Sequence, residues 1–128
     1  MRNPILTLVL FTCLPTIALS DPATECGGSS QVEIGDCVAD TLERVDGVID
    51  LYFGFAMDAA KELDEVTDRT EAVPALDAAQ AAWAAYREAH CAYVGATFGG
   101  GSGTAIGINA CKIELGRERA KTLRRYVQ

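Results

Sequence analysis

Apolar residues recur every three or four positions along three segments of the chain, which is the period of a helix that buries one face. The first segment predicts a long helix over residues 30–66. Its apolar positions are Ile34, Val38, Leu42, Val45, Ile49, Tyr52, Ala56, Ala59 and Leu63. The same spacing on the opposite face predicts an acidic stripe, formed by Asp36, Asp40, Glu43 and Asp50. A solvated face is the ordinary meaning of such a stripe.

Gly47 and Gly54 lie seven residues apart in this helix and therefore on one side of it. Glycine in the interior of a helix costs about 1 kcal/mol relative to alanine. Two explanations are open at this stage. Another helix approaches closely at these positions, or the helix kinks there.

The second segment predicts a helix from Pro74 to about Ala96. The residue before a proline avoids the helical region, whereas proline itself suits the first turn of a helix. Eight alanines between residues 75 and 89 favour helix formation and permit tight packing. Residues 97–106, with glycine at four of five consecutive positions, then predict a flexible loop. This loop lacks the lysine and the preceding strand of a phosphate-binding P-loop.

The third segment predicts a helix from Gly107 to Tyr126. Its apolar face is formed by Ile108, Cys111, Leu115, Leu123 and Tyr126. Basic residues crowd its C-terminal half, where cations interact favourably with the negative pole of a helix. The three segments together predict an all-α fold, a small antiparallel bundle of three helices.

The first twenty residues have the layout of a secretory signal peptide. Arg2 precedes an apolar run over residues 5–14, and small residues indicate cleavage after Ser20. The run is about 10 residues long, half of what a membrane span needs. A lipoprotein is the rival interpretation, but the residues before Cys13 and Cys26 are not small.

Cleavage after Ser20 leaves a single predicted domain, residues 21–128, that is periplasmic or secreted. We interpret residues 21–29 as a polar leader without periodicity, pinned to the rest of the domain by Cys26. No later segment of the sequence has the length and apolar character of a membrane span.

The charge of the predicted domain is negative and unevenly placed. Cleavage removes one base and no acid, which changes the net charge from −7 to −8. This sign disfavours nucleic acids and anionic membranes as partners. Residues 21–77 hold 15 acids and 3 bases, while residues 78–128 hold 3 acids and 7 bases. Either the acidic first helix attracts the basic last helix, or part of the acidic surface is free for a basic ligand.

Four cysteines remain after cleavage, and an even count in a short exported chain indicates two disulfides. At 1.5 Å per residue, a straight antiparallel pair of helices puts Cys37 about 20 Å farther along the bundle than Cys91. Cys91 and Cys111, in contrast, flank the glycine loop. We therefore predict the pairs Cys91–Cys111 and Cys26–Cys37. Zinc is the alternative, but no CxxC or paired-histidine spacing is present, so no metal and no cofactor is predicted.

Residues 76–123 carry a pattern with a known counterpart. It consists of Leu76, Gln80, Trp83, Tyr86, Arg87 and Cys91, then Gly99, Gly100, Gly101 and Ser102, then Cys111, Leu115, Arg119 and Leu123. This pattern resembles the lysozyme inhibitor LprI-like family. Upstream, residues 46–53 are similar to the family's Asp-x-x-Leu-Asn-x-x-Tyr segment, with Asp50 and Phe53 in place of asparagine and tyrosine. Gly116 stands where the last helix of the family commonly has threonine.

The resemblance implies a small, exported, cysteine-bearing helical protein. The family takes its name from lysozyme inhibition by a few members, and most members are uncharacterised. These implications agree with what the residues themselves predict about fold and compartment.

Gln80, Trp83 and Arg87 recur at helical spacing and share one face of the second helix, where Trp83 can cover the Arg87 guanidinium. These residues form either a ligand site or a structural cluster. In the structural interpretation, Trp83 anchors the core and Arg87 pairs with Asp46 or Asp50 of the first helix. Gln80 would then bond to nearby backbone.

The sequence predicts a binding protein rather than an enzyme. The sequence contains no His/Ser/Asp constellation, and His90 is its single histidine. No thiol is free if both disulfides form. Carboxylates are plentiful, but carboxylates on a solvated stripe serve acid catalysis poorly.

The predicted partner is a protein, namely a lysozyme or another cationic muralytic hydrolase. The acidic stripe would steer such a partner, and the glycine loop would contact it. The candidate contact residues are Asp36, Asp40, Glu43 and Asp50 of the stripe and Gly100, Gly101 and Ser102 of the loop. The alternative is a periplasmic envelope adaptor or assembly protein without affinity for lysozyme.

Overall fold

The computed structural model describes residues 21–127, which fold into four α-helices. These are α1 (Pro22–Glu25), α2 (Gln31–Thr67), α3 (Ala72–Ala96) and α4 (Thr104–Arg124). No β-strand occurs within residues 21–127, and the predicted all-α fold class is confirmed. The predicted signal peptide and its cleavage after Ser20 lie outside the described residues.

The longest helix, α2, begins and ends within one residue of the segment predicted from the sequence. At its N-terminus the Ser30 side chain accepts a hydrogen bond from the Glu33 amide at 3.2 Å. The Glu33 carboxylate accepts in turn from the hydroxyl and the amide of Ser29, at 2.7 and 2.8 Å. These bonds lower the pKa of Glu33. The arrangement is close to a capping box, and it fixes the start of the helix.

The short helix α1 is a single turn within the segment predicted to be an irregular leader. The Asp21 carbonyl accepts hydrogen bonds from the amides of Thr24 and Glu25 at 2.8 and 3.0 Å, and Pro22 is buried. The Glu25 carboxylate accepts two bonds from the Arg117 guanidinium of α4, at 2.7 and 3.0 Å. One helical turn is too short to show periodicity, so the sequence pattern did not reveal it.

Two disulfides hold the helices together. Cys26 bonds to Cys37 and Cys91 bonds to Cys111, with Cα–Cα distances of 5.7 and 5.6 Å. These are the two pairs that the antiparallel geometry predicted. The first ties the end of α1 to α2, and the second ties the end of α3 to α4 across the glycine loop. Closing loops of this size stabilises a fold by roughly 3 kcal/mol each.

The last helix, α4, packs against both α2 and α3 and supplies more buried residues than any other helix. It begins at Thr104, three residues before the predicted start, and its buried residues are Ala110, Cys111, Ile113, Gly116, Ala120 and Leu123. Ile113 is fully buried, whereas Tyr126, which we predicted on the apolar face, is exposed beyond the end of the helix. The predicted face was partly wrong because small residues, rather than large apolar ones, make the closest contact with α2.

Gly116 permits this close contact between α4 and α2. A Cβ atom at this position would lie 2.6 Å from Val45 Cγ1. It would also lie 3.2 Å from both Ile49 Cδ1 and Arg87 Nη2. All three distances are shorter than ordinary van der Waals contact, so the helices can pack at this spacing only around a glycine.

Gly47 and Gly54 are in the opposite situation. A Cβ atom at either position would meet no other atom within 4 Å. Helix α2 is continuous through both residues. The close approach of another helix, one of the two explanations for these glycines, is therefore wrong, because this side of α2 faces open space.

The turn between α2 and α3 is organised by Asp64, which the sequence analysis did not single out. Its carboxylate accepts hydrogen bonds from the amides of Ala72, Val73 and Glu71 at 2.8, 3.1 and 3.2 Å. These amides have no partner within α3, and Glu71, at the N-cap position, makes no side-chain cap. The bonds from Ala72 and Val73 are the main cause of a lowered pKa at Asp64. A residue of α2 thus caps α3.

Helices α2 and α3 extend past the end of α4. The core cluster of Ile49, Ala56, Ala120 and Leu123 marks the last layer that all three long helices share. Helix α2 continues for 11 residues beyond Ala56, about 16 Å at 1.5 Å per residue. Leu63, predicted as a core residue, is 53% exposed in this projecting part. It is exposed because α4 ends too early to cover it.

The three glycines allow a matched test of packing. We expect Gly47→Ala and Gly54→Ala each to stabilise the protein, by up to about 1 kcal/mol, since alanine favours the helix and finds open space. Gly116→Ala should destabilise it by about 1–2 kcal/mol, because Val45 is stiff at its branched Cβ and cannot yield easily. Urea unfolding of the three variants measures these changes. A stabilising Gly116→Ala would contradict the packing described.

A second prediction concerns the pH dependence of stability. The folded-state pKa of Asp64 is lowered, so its contribution is complete above the unfolded pKa of about 3.9 and is lost as the pH falls through the lower folded value. Asp64→Asn should therefore flatten the loss of stability as the pH falls below about 4, relative to the wild type. The control is Asp36→Asn, which removes an exposed carboxylate without ion pairs. Unfolding curves of the two variants with the same pH slope would refute the capping role.

Candidate functional site

The acidic stripe of α2 lies entirely on the surface. Asp36, Asp40, Glu43 and Asp50 are all exposed. None of them belongs to an ion pair within residues 21–127. The stripe extends about 21 Å along the helix. It therefore presents four carboxylates that the described fold does not neutralise.

Gly47 belongs to the same face as these carboxylates, four residues after Glu43 and three before Asp50. Since no atom lies near its missing side chain, the middle of the stripe exposes bare helical backbone. The stripe is thus acidic, and no side chain projects from its centre at Gly47.

Attraction between the two oppositely charged parts of the chain uses few of the available acids. Of the 15 acids in residues 21–77, only Glu25 and Asp46 pair with cations from the described part of the chain beyond residue 77. Their partners are Arg117 and Arg87. Intramolecular pairing therefore leaves most of the acidic surface open to solvent.

The cations of α4 lie mainly on a different side of α2 from the acidic stripe. Arg117, Lys121 and Arg124 line a groove between α2 and α4 together with Arg44. Arg44 follows Glu43 directly, so the two side chains point about 100° apart around the helix. The groove also contains Glu25, Glu114 and Glu118, so its charges are mixed.

The glycine loop is more ordered than the sequence predicted. Gly99 and Gly100 adopt the left-handed conformation, with φ of 64° and 83°. The Gly101 carbonyl accepts hydrogen bonds from the amide and the hydroxyl of Thr104, at 3.0 and 2.7 Å. The Phe98 ring packs over the start of α4 and leaves no space for a side chain at position 107. The predicted flexible loop is therefore a hydrogen-bonded turn.

The loop and the first half of the stripe share one end of the bundle. Gly100, Gly101 and Ser102 are exposed. Residues from the start of α2, Gln31 and Ile34, line the same cleft as Phe98 of the loop. The structure thus places the loop at the end of the bundle that contains Asp36, while Asp50 lies about 21 Å farther along the helix.

The residues of the sequence motif form a cluster inside the bundle. The Arg87 guanidinium of α3 donates to Asp46 Oδ1 at 2.7 Å and to the Lys112 carbonyl at 3.0 Å. The Arg87 side chain is 10% exposed and that of Asp46 is 46% exposed. Asp46, rather than Asp50, is therefore the carboxylate that binds Arg87. One side chain links all three long helices.

Trp83 lies within cation-π distance of two arginines. Its ring centroid is 5.2 Å from Arg87 Cζ and 5.7 Å from Arg119 Cζ. Gln80 Oε1 accepts a hydrogen bond from Arg119 Nε at 2.9 Å, so the expected bond from Gln80 to backbone is wrong. Burial lowers the pKa of Arg119. Gln80 bonds instead to a long side chain of α4. Spacing within α3 alone did not predict this contact between helices.

The remaining motif residues divide between core and surface. Leu123 is fully buried, and Leu76 packs against the same cluster. Tyr86 is exposed, and its ring stacks on His90 with a centroid distance of 5.4 Å. The only histidine of the chain thus lies on the surface against an aromatic ring.

The described residues contain neither a metal-binding cluster nor a membrane-spanning helix. Across residues 21–127 no group of three or more His, Cys, Asp or Glu side chains is placed to hold a metal ion. Helices α1 to α4 include none whose length and apolar character would let it cross a membrane.

Comparison with known proteins matches the chain over most of its length. The model of the family described as lysozyme inhibitor LprI matches residues 23–123. An uncharacterised protein of Rhizobium meliloti (strain 1021) is 26% identical over 131 residues, covering 98% of this chain and 94% of that protein. No solved structure matches the chain.

Proposed function

Since this chain belongs to the lysozyme inhibitor LprI family, we propose that it is an exported binding protein that inhibits a cationic muralytic hydrolase of the lysozyme type. The observation that supports this proposal most is the exposed, unpaired acidic stripe of α2. In this function the protein carries out no catalysis. It protects cell-wall glycan by occupying the hydrolase.

Charge provides the physical basis for recognition. A hydrolase with a basic surface is attracted by the four free carboxylates of the stripe, which raises the rate of encounter. Hydrolases of this type cleave glycan with carboxylates in a cleft. An inhibitor that covers the cleft therefore blocks the substrate without any reaction of its own.

The glycine loop is the sequence-predicted contact, and its role stays a prediction. Its hydrogen-bonded turn supports the idea, because an ordered loop loses less conformational freedom on binding than a flexible one. Its place beside the first acids of the stripe lets steering and contact act at the same end of the bundle.

Inhibition of lysozyme tests the proposal directly. We expect purified residues 21–128 to slow the clearing of a cell-wall suspension by at least one member of a panel of basic lysozymes. The inhibition should weaken as salt rises from about 0.05 to 0.5 M, because screening shortens the reach of surface charges. Absence of inhibition at low salt and in molar excess, for every lysozyme of the panel, would overturn the proposal.

A pull-down from periplasmic extract provides the control for the adaptor alternative. Recovery of a muralytic enzyme agrees with the proposed inhibitor. Recovery of only transporters, secretion factors or assembly factors, together with no effect on lysozyme, favours the adaptor instead.

A further inference from the structure

The projecting tip of the α2–α3 hairpin contains an apolar groove. We call it the tip groove, and its larger side chains are Leu63, Val66, Leu76 and Tyr126. Alanines of α2 and α3 form its floor, and Glu62 and Arg125 are the charged residues that line it. Leu63, Val66 and Tyr126 in this lining are exposed, whereas Ala56 and Leu76 belong to the core or pack against it.

The groove exists because α4 ends before it reaches the tip of the α2–α3 hairpin. In the core, α4 covers the seam between α2 and α3 as far as Leu123. Beyond that point α2 and α3 continue to Asp64 and its cap on α3 without a third helix above them. Val66 is 74% exposed, and Tyr126 is also exposed. Contiguous apolar surface of this kind marks interaction sites in soluble proteins.

Charge identifies the kind of partner that fits. Residues 58–77 together with Arg125, which surround or line the groove, hold seven acids and three bases. Two of these bases are already paired within the hairpin, Lys61 with Asp58 and Arg69 with Glu71. A second copy of the chain would bring the same negative charge to the interface. A partner with apolar side chains among basic ones matches both the groove and its rim.

The opposite end of the bundle offers a poorer anchor. Val32, at the start of α2, is 72% exposed, but it does not line the cleft beside the loop. The Phe98 ring is partly used in packing over the start of α4. The loop therefore presents mainly glycine and serine, which supply little apolar area.

We infer that the tip groove is the docking site for an apolar side chain of the cationic hydrolase, with the acidic rim holding the basic residues around it. The inference rests on the proposed function and specifies its interface. Val32 and Val66 lie about 50 Å apart along α2. A compact partner docked at the tip therefore does not reach the glycine loop, so in this inference the tip groove replaces the predicted loop contact and the acidic stripe acts by steering.

The test compares exposed apolar residues at opposite ends of α2. The probe is the basic lysozyme that the wild-type protein inhibits most strongly. The double variant Leu63→Gln and Val66→Gln should weaken binding about tenfold or more, as loss of a central apolar anchor does. The control Val32→Gln has nearly the same exposure and should change binding less than about twofold. Isothermal titration calorimetry gives both affinities, and circular dichroism confirms that each variant is folded.

Each outcome bears on a different claim. Loss of affinity in the tip variant alone supports the inference. Unchanged binding by the tip variant, or loss of binding with Val32→Gln instead, overturns the tip groove as the interface while the inhibitor function stands. A wild-type protein that binds no lysozyme overturns the proposed function itself. A wild-type dimer that the tip variant converts to monomer, seen by sedimentation, overturns the assignment of a cationic partner.

Discussion

The contacts of the Arg87 guanidinium are the interaction on which the rest of the structure depends. This guanidinium leaves α3, donates to Asp46 of α2 and to the Lys112 carbonyl of α4, and lies over the Trp83 ring. Burial of an arginine is costly unless its donors find partners. Here a half-exposed carboxylate and a backbone carbonyl supply them. This one side chain therefore joins the three long helices.

Gly116 is the steric counterpart of this interaction. A side chain there would press on Val45 of α2 and on the Arg87 guanidinium itself. The small residues Gly116 and Ala120 thus set the distance between α4 and α2, and Arg87 fills the space between the helices. The disulfides then fix α1 to α2 through Cys26–Cys37 and α3 to α4 through Cys91–Cys111.

Much of this architecture was predictable from the sequence, and the reasons for the remainder are physical. Helix α2 and both disulfides followed from period and from antiparallel geometry, because both depend on spacing along the chain. The capping of α3 by Asp64 did not follow, since it joins residues of different helices. The contacts of Gly116 and the exposure of Leu63 also depend on where α4 begins and ends. Periodicity marks a face as apolar but does not show whether another helix reaches it.

The candidate site was likewise predictable from the sequence only in part. Spacing correctly placed Asp36, Asp40, Glu43 and Asp50 on one exposed face. It left Asp46 and Asp50 as equal candidates for Arg87, because only the register between α2 and α3 distinguishes them. The tip groove had no sequence signal, since its residues belong to apolar faces that would be core in a longer bundle.

The motif shared with the family is therefore mostly interior, whereas the acidic stripe and most of the tip groove lie outside it. Arg87, Trp83 and Leu123 maintain the scaffold. The acidic stripe and the hairpin tip are surface features of this chain that lie outside this scaffold. Family membership in this view identifies the fold, and surface charge and exposed apolar side chains select the partner.

The most direct test is the inhibition constant of folded Arg87→Lys. Lysine keeps the charge but loses the planar fork that reaches Asp46 and the Lys112 carbonyl together. We predict a loss of about 1–3 kcal/mol in unfolding free energy, with an inhibition constant within about twofold of the wild type at a temperature where the variant is folded. A folded Arg87→Lys that no longer inhibits would contradict the account and place Arg87 in the binding site.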